Sequence, residues 1–297
     1  MRQLNLRPYH TGDDPRPGSV PVSVVVLTLN EEANIRRCLS SVAWAEQVVV
    51  VDSGSSDGTL RIARALGAET VDQPWLGFSA QREFALRLAL LRHDWVYFVD
   101  ADQWISPQLA AEVAVHLTAP ACAAFAHRFR LVFLGTWIRH CGWYGGSWNV
   151  QLMDRRYARY PDSLLGERIQ IDGEVHRLRN DIVDDDAKGL PAWLHKHVGY
   201  AQLEAERRGR PLPLRQRLHA VAASRGTCRP LARSVLKEVI FPSIPAKPAA
   251  MFLYMYFIRL GLLDGLPGLR FCFYHAWFQA CVSALRSESA GASHRGA

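Results

Sequence analysis

The sequence predicts an α/β fold built on an open, mostly parallel, doubly wound sheet, and three observations predict it. Over the first hundred residues, runs of β-branched residues alternate with segments of helical period. Each pair of successive strands is separated by a helix, which demands crossover connections and therefore parallel pairing with both faces covered. Three of the four strands finish on polar side chains, the arrangement expected where strand ends border a ligand.

The elements follow in order. "VPVSVVVLTL" (Val20–Leu29) reads as a buried strand, and the polar leader before it, residues 1–19 with Asp13, Asp14 and three prolines, reads as a loose tail. That first apolar run is too short to cross a bilayer. "NEEANIRRCLSSV" (Asn30–Val42) sets Ile35, Leu39 and Val42 on one side, with Asn30 placed to cap and two glutamates in the first turn, and so predicts a helix. "QVVVVDS" is a second strand, and "DGTLRIARALGA" (Asp57–Ala68) a second helix ending on Gly67. "AETVD" predicts a short third strand, "GFSAQREFALRLALLR" a third helix and "DWVYFVD" (Asp94–Asp100) a fourth strand. Beyond Pro107 the pattern loosens. "AAFAHRFRLVFLG" and "SWNVQLM" suit further strands, while "GTWIRHCGWYGGS" between them reads as an aromatic, glycine-rich loop.

A change of character near residue 200 divides the chain into an α/β unit, residues 20–200, and a basic and apolar helical region, residues 201–297. From Arg207 to Lys237 there are nine Arg or Lys residues and no Asp or Glu. Within it, "PLARSVLKEVI" (Pro230–Ile240) separates apolar Leu231, Val235, Leu236, Val239 and Ile240 from Arg233 and Lys237, the pattern of a helix lying on a membrane surface. "AAMFLYMYFIRLGLL" (Ala249–Leu263) carries Arg259 and is followed by Asp264, and "LRFCFYHAWFQACVSAL" carries Arg270 and His275. Both read as helices in the headgroup region rather than spans, with interfacial aromatics between Phe252 and Tyr274, and a buried core hairpin packed on the preceding unit is the alternative.

Composition narrows the function classes. Hydrophobic residues at 49% and charged residues at 21% are those of a globular chain, and a net charge of +7 points to an anionic partner. The six cysteines form no CxxC pairs, which fits neither a zinc site nor a disulfide framework and suggests a reducing compartment. No G-x-G-x-x-G or G-x-x-x-x-G-K-[ST] occurs, so neither a dinucleotide fingerprint nor a P-loop is supported.

The candidate site is the set of polar strand ends: Thr28, Asn30 and Glu31 after the first strand, Asp52 and the loop to Asp57 after the second, and Asp100 and Asp102 after the fourth. Parallel strands bring these ends to one edge. Carboxylates hold a diphosphate through a divalent cation, and Asp102, one residue beyond the strand end, suits Mg²⁺ or Mn²⁺. Asp52 and Asp100 suit the donors of a base and a ribose. The occupant this implies is a nucleoside diphosphate.

"VVVLTLNEEANIRRCLSSV", "VVVVDSGSSDGT", "GFSAQREFAL" and "YFVDADQWISPQL" resemble the ordered signature blocks of bacterial family 2 glycosyltransferases. The subgroup is that of lipopolysaccharide-core and exopolysaccharide transferases. The later segments "FLGTWIRHCGWYGGS", "VDDDAKGLPAWLHKHVGYAQLEAE" and "YFIRLGLLDGLPGLRF" are similar to the same subgroup. The resemblance implies a GT-A fold, a nucleotide-sugar donor and inversion at the anomeric carbon. It further implies that Asn30, Glu31 and Asp52 contact uracil and ribose, Asp100 the nucleotide, and Asp102 the metal. Arg82, beside Gln81, stands where relatives have a cation near the diphosphate. Two departures are Gln103, where the subgroup has Glu after its Asp-Ala-Asp, and Gly166-Glu167, where relatives show His-Glu. An inverting transfer needs a base for the acceptor hydroxyl, and Glu167 is the candidate. His140, His176, His195 and His197 are further acceptor-side candidates. The absence of a QxxRW block argues against a processive polymerase.

The expectation is therefore a metal-dependent transferase acting on a lipid-linked or saccharide acceptor, peripheral on an anionic membrane surface, the inner face of the bacterial cytoplasmic membrane. Nucleic acid is not an expected partner. A sugar-nucleotidyltransferase would carry a Gly-rich basic loop after the first strand, which "LTLNEEANI" lacks. A non-catalytic basic binding protein would leave the three acidic strand ends unexplained.

Overall fold

The computed structural model describes residues 19–142, 144, 147–161, 169–209 and 247–295. Its centre is a seven-stranded sheet. Strand β1 (Val20–Thr28) lies between β2 (Ala45–Asp52) and β4 (Trp95–Asp100), and β3 (Glu69–Asp72) lies outside β2, all parallel. Beyond β4 come β9 (Asn149–Asp154), then β6 (Ala124–His127), then β12 (Val175–Arg177). Strand β9 is antiparallel to both neighbours, so β6 runs in the direction of β4. This is the open, mostly parallel sheet that the sequence predicts.

The β-branched runs are continuous because the central strands are buried on both faces. Val24, Val26 and Val50 pack with Ile35, Leu39, Ile62 and Leu109 on one face, whereas Val25, Val49 and Phe98 pack with Ala85 and Leu86 on the other. Each such valine, fully enclosed, contributes about 1.5–3 kcal/mol.

The helices that cover the sheet are shorter than the sequence predicts. Helix α1 (Ile35–Ser41) starts five residues after Asn30, because Asn30 adopts φ 54° and turns its side chain to a different loop. Helix α2 (Thr59–Ala65) ends ahead of Gly67 at φ 81°, a conformation that favours glycine. Helix α3 covers Phe78–Leu86 and α4 Pro107–Thr118, the latter capped by the Ser106 hydroxyl on the Leu109 N–H.

A second sheet has the order β5 (Gln103–Trp104), β13 (Ile182–Asp184), β7 (Phe129–Phe133), β8 (Thr136–Trp137). A two-stranded ribbon joins β10 (Ala158–Arg159) to β11 (Gln170–Ile171).

Helix α5 (Gly189–Gly209) runs through residue 200 without a break. After residue 246 come α6 (Lys247–Leu253), a π-turn over Tyr254–Ile258, a 3₁₀ turn over Gly261–Asp264 and α7 (Gly265–Arg295). Glycine is required at 261: a Cβ there would stand 2.8 Å from the Cβ of Cys141 and 2.9 Å from the Cys272 sulfur. Among the described residues no single helix is long and apolar enough to cross a membrane, although residues 247–258 and 261–288 are so together, bent by 74°.

Candidate active site

The register of the sheet brings the predicted strand ends together. Thr28 lies opposite Asp52, and Leu27 opposite both Val51 and Asp100, so β1, β2 and β4 end at one level.

Asp52 is buried, and its carboxylate is satisfied from within the chain. Oδ1 accepts from the Thr28 hydroxyl (2.8 Å) and the Ser55 hydroxyl (2.5 Å), and Oδ2 from the N–H groups of Gly54 (3.0 Å) and Ser55 (2.7 Å). Its part in this structure is to set the shape of the β2–α2 loop. Asn30 closes that loop from the other side: its N–H donates to the Ser55 hydroxyl (2.8 Å), and its Oδ1 accepts from the Ser56 N–H (2.9 Å). Asp57 is exposed and accepts from the N–H groups of Thr59 (3.0 Å) and Glu32 (3.1 Å). Slight desolvation works against its charge, but the Thr59 hydroxyl and these N–H groups hold its carboxyl below the ordinary range.

Glu31 is tied to a segment that the sequence reading did not single out for chemistry. Its Oε1 pairs with Lys188 Nζ at 2.6 Å and its Oε2 accepts from Asn34 at 2.8 Å. Burial pushes its pKa up, against the pull of Asn34 and Lys188. Asn34 also donates to Asp186 (2.8 Å), and Arg37 pairs with Asp185 (2.7 Å). The "VDDDAK" run is thereby knit to the β1–α1 loop.

Arg82 is buried, with its Nη2 2.9 Å from Asp100 Oδ1 and its guanidinium 5.4 Å from the centre of the Phe98 ring. Gln81 beside it donates to the Ser53 hydroxyl at 3.2 Å. Asp102 faces Lys196 Nζ of α5 at 3.4 Å. Burial raises the Asp102 pKa, Lys196 lowers it, and Asp100 and Asp186 raise it further. Asp184 is pushed well above the usual carboxylate range, first by burial and then by Asp102 and Asp100. The cleft therefore holds Asp100, Asp102, Asp184 and Asp186 close to Arg82 and Lys196. Asp184, Asp186, Lys188 and Lys196 were missed by sequence reasoning, and the acidic triplet at residues 184–186 was the available signal.

Among the described residues no three His, Cys, Asp or Glu side chains converge to hold a metal ion on their own. The donor chemistry fits a different mode, in which a hard cation takes one or two carboxylates from the protein and its other oxygens from substrate phosphates and water. Asp102, among mutually repelling carboxylates, suits that mode.

Glu167, with Gly166 and Arg168, lies outside the described residues. Among the histidines, His140 Nδ1 is 2.7 Å from Asp264, His176 meets Glu174 at 3.2 Å, and the His197 ring stacks on Trp193 with centroids 3.5 Å apart. His195 is exposed.

Residues 23–167 match the family model described as glycosyl transferase family 2. An uncharacterized glycosyltransferase of Rickettsia typhi is 41% identical over 93 residues, 31% of each chain. The lipopolysaccharide core biosynthesis glycosyltransferase LpsC of Rhizobium meliloti is 32% identical over 95 residues, covering 30% of this chain and 34% of the relative. These matches span about a third of the length of either relative. Among solved structures, glucosyl-3-phosphoglycerate synthase from Mycobacterium tuberculosis, in complex with Mn²⁺ and UDP, is 28% identical with a TM-score of 0.33, covering 37% of this chain and 44% of that one.

Proposed function

From a chain whose residues 23–167 are a glycosyltransferase family 2 domain, we propose an inverting transferase that moves a sugar from a nucleotide-diphospho-sugar, UDP-linked, to a lipid-linked or lipopolysaccharide-type acceptor. The observation that carries this reading is the convergence of Asp52, Asp100 and Asp102 at one sheet edge, with Arg82 and Lys196 among them. The similarity to LpsC supports the acceptor class.

In this reading the β2–α2 loop, shaped by Asp52 and Asn30, forms the nucleotide wall of the cleft. Asp102 would hold the divalent cation, Mg²⁺ or Mn²⁺, whose chemistry is to neutralise the diphosphate oxygens. Arg82 and Lys196 add fixed positive charge on the side where the leaving diphosphate develops its own. The acceptor oxygen bonds to the anomeric carbon as the bond to the diphosphate breaks on the opposite face. Glu167 takes the hydroxyl proton. The enzyme would work from the cytoplasmic side, with residues 201–297 on the membrane surface.

Transfer from a panel of UDP-sugars tests this. Asp102→Asn should lose transfer while keeping its circular dichroism, because the side chain stands at a strand end outside the apolar core. Full activity of that variant in EDTA-treated buffer would remove the metal assignment. Glu167→Gln should transfer roughly a hundred-fold more slowly or worse, with donor affinity nearly unchanged. Retained turnover would send the search for the base elsewhere.

A further inference from the structure

Among the described residues several arginines stand beside a carboxylate: Arg37 with Asp185, Arg82 with Asp100, Arg87 with Glu83, Arg92 with Glu69, Arg156 with Asp154. One surface gathers arginines on aromatic rings instead. Around β7, β8 and β12, four arginines interleave with three aromatic rings in a continuous ladder. Arg177 lies 4.7 Å from the centre of Trp148, and Arg128 lies 5.3 Å from Trp148 and 4.5 Å from Tyr144. Tyr144 meets Trp137 edge-on at 5.0 Å, and Trp137 carries Arg130 at 4.6 Å and Arg139 at 5.4 Å.

Among the described residues a single carboxylate serves this ladder. Asp181 is buried and accepts from Arg128 (3.1 Å), Arg130 (3.5 Å) and the Tyr144 hydroxyl (2.9 Å). Arg139 and Arg177 are exposed and have no carboxylate partner among the described residues. An exposed cation–π contact contributes only about 0.5–1 kcal/mol, a small return for gathering four like charges around one anion. A guanidinium over a ring whose N–H groups no carboxylate among the described residues takes, as at Arg139 and Arg177, keeps its fork open to a phosphate or carboxylate in bidentate fashion.

The ladder is held in place from the C-terminal side. Asp264 accepts from the N–H groups of Arg139 (3.1 Å), His140 (3.0 Å) and Cys141 (3.0 Å), and Arg259 donates to the Gly142 carbonyl at 2.9 Å. The second sheet also fixes where it lies. Arg130 pairs with Val183, and Val183 with Trp104, two residues beyond Asp102. Two strand spacings, about 10 Å, therefore separate the Arg130 backbone from the strand that follows Asp102. Alternation puts Arg130 on the face opposite Asp184. A group bound there is therefore set apart from the cleft carboxylates.

We propose that this arginine–aromatic ladder is a subsite for negatively charged substituents, phosphate or carboxylate, of the acceptor saccharide. The acceptor is then an anionic glycan rather than a neutral one. The proposal rests on the glycosyltransferase reading, and its test needs neither donor nor turnover.

Calorimetric titration of the full chain with a bisphosphorylated glucosamine disaccharide should show binding, and the dephosphorylated disaccharide should show none. Arg139 and Arg177 make no ion pair among the described residues, so an Arg139→Ala/Arg177→Ala chain should fold with unchanged circular dichroism. Its affinity for the charged disaccharide should drop about tenfold or more, the effect of losing one to two charge-assisted hydrogen bonds. The corresponding double Lys variant should also bind more weakly, since charge without the planar fork is insufficient. Equal binding of the dephosphorylated sugar, or unchanged affinity in the Ala variant, would overturn the proposal. So would inorganic phosphate or a mixed-sequence oligonucleotide binding as tightly as the disaccharide. A chain that binds the charged disaccharide but transfers no sugar from any nucleotide donor would instead sink the glycosyltransferase reading.

Discussion

His127, at the end of β6, is fully buried, packed near Tyr97 and Phe129, with neither ring nitrogen hydrogen-bonded among the described residues. Burial pushes its pKa down to about 4, and burial with His197 nearby does the same for His275, also about 4. The unfolded chain, with histidines near 6.5, takes up these protons first as pH falls. The stability contributed by neutral His127 is therefore present above about pH 6.5 and lost progressively toward pH 4. Asp102 and Asp184, raised by burial, slope the other way, so the informative quantity is a difference between chains. Urea midpoints should fall more steeply for the native chain than for His127→Phe between about pH 7 and pH 4.5. Parallel curves would show that the imidazole is protonated or hydrated in the folded chain. Asp52 illustrates the limit of reading single residues from sequence. Its type and place at a strand end were legible, but its commitment to Thr28, Gly54 and Ser55 was not, because an aspartate that shapes a loop and one that meets a ligand look alike in sequence.

Strands β1, β2 and β4 were legible because a strand buried on both faces must be apolar through its middle, and Val24–Leu27, Val48–Val51 and Val96–Val99 are. Nothing in "NVQLMD" gives the direction of β9, and only pairing with β4 and β6 reveals it as antiparallel. Helix starts failed for a non-local reason. Asn30 looks like a cap for the residues after it, yet its side chain serves Ser56, twenty-six positions away. Strands β5 and β13 span two and three residues, too short for any periodicity, although their pairing carries Asp184 to the level of Gln103 beside Asp102. Half of the acidic cleft was therefore readable as strand ends. The other half arrives through a tertiary pairing that sequence spacing does not encode.

The C-terminal hairpin is both fastened to the catalytic unit and apolar on its outside. Arg259 and Asp264 turn inward, Arg259 to the carbonyls of His140 and Gly142 and Asp264 to the N–H groups of residues 139–141. Its outside exposes Leu253 (53% exposed), Phe257 (53%), Ile258 (72%), Leu263 (58%) and Leu266 (57%), with Arg270 among the exposed residues. An open apolar groove lined by Phe252, Leu253, Phe273 and Trp277 runs between α6 and α7. In the proposed membrane reading lipid covers this apolar surface, and the basic stretch from Arg207 to Lys237 favours an anionic bilayer. The full chain should therefore float with vesicles containing phosphatidylglycerol and less with neutral vesicles. A Phe257→Glu/Ile258→Glu chain should lose much of that binding, since both side chains are more than half exposed. Its thermal midpoint and its use of a water-soluble acceptor should be unchanged, which separates loss of membrane contact from loss of fold. Equal recovery of the native chain on neutral and anionic vesicles would remove the electrostatic part. Undiminished flotation of the double variant would move the contact away from the hairpin, and no flotation of the native chain would end the membrane reading altogether.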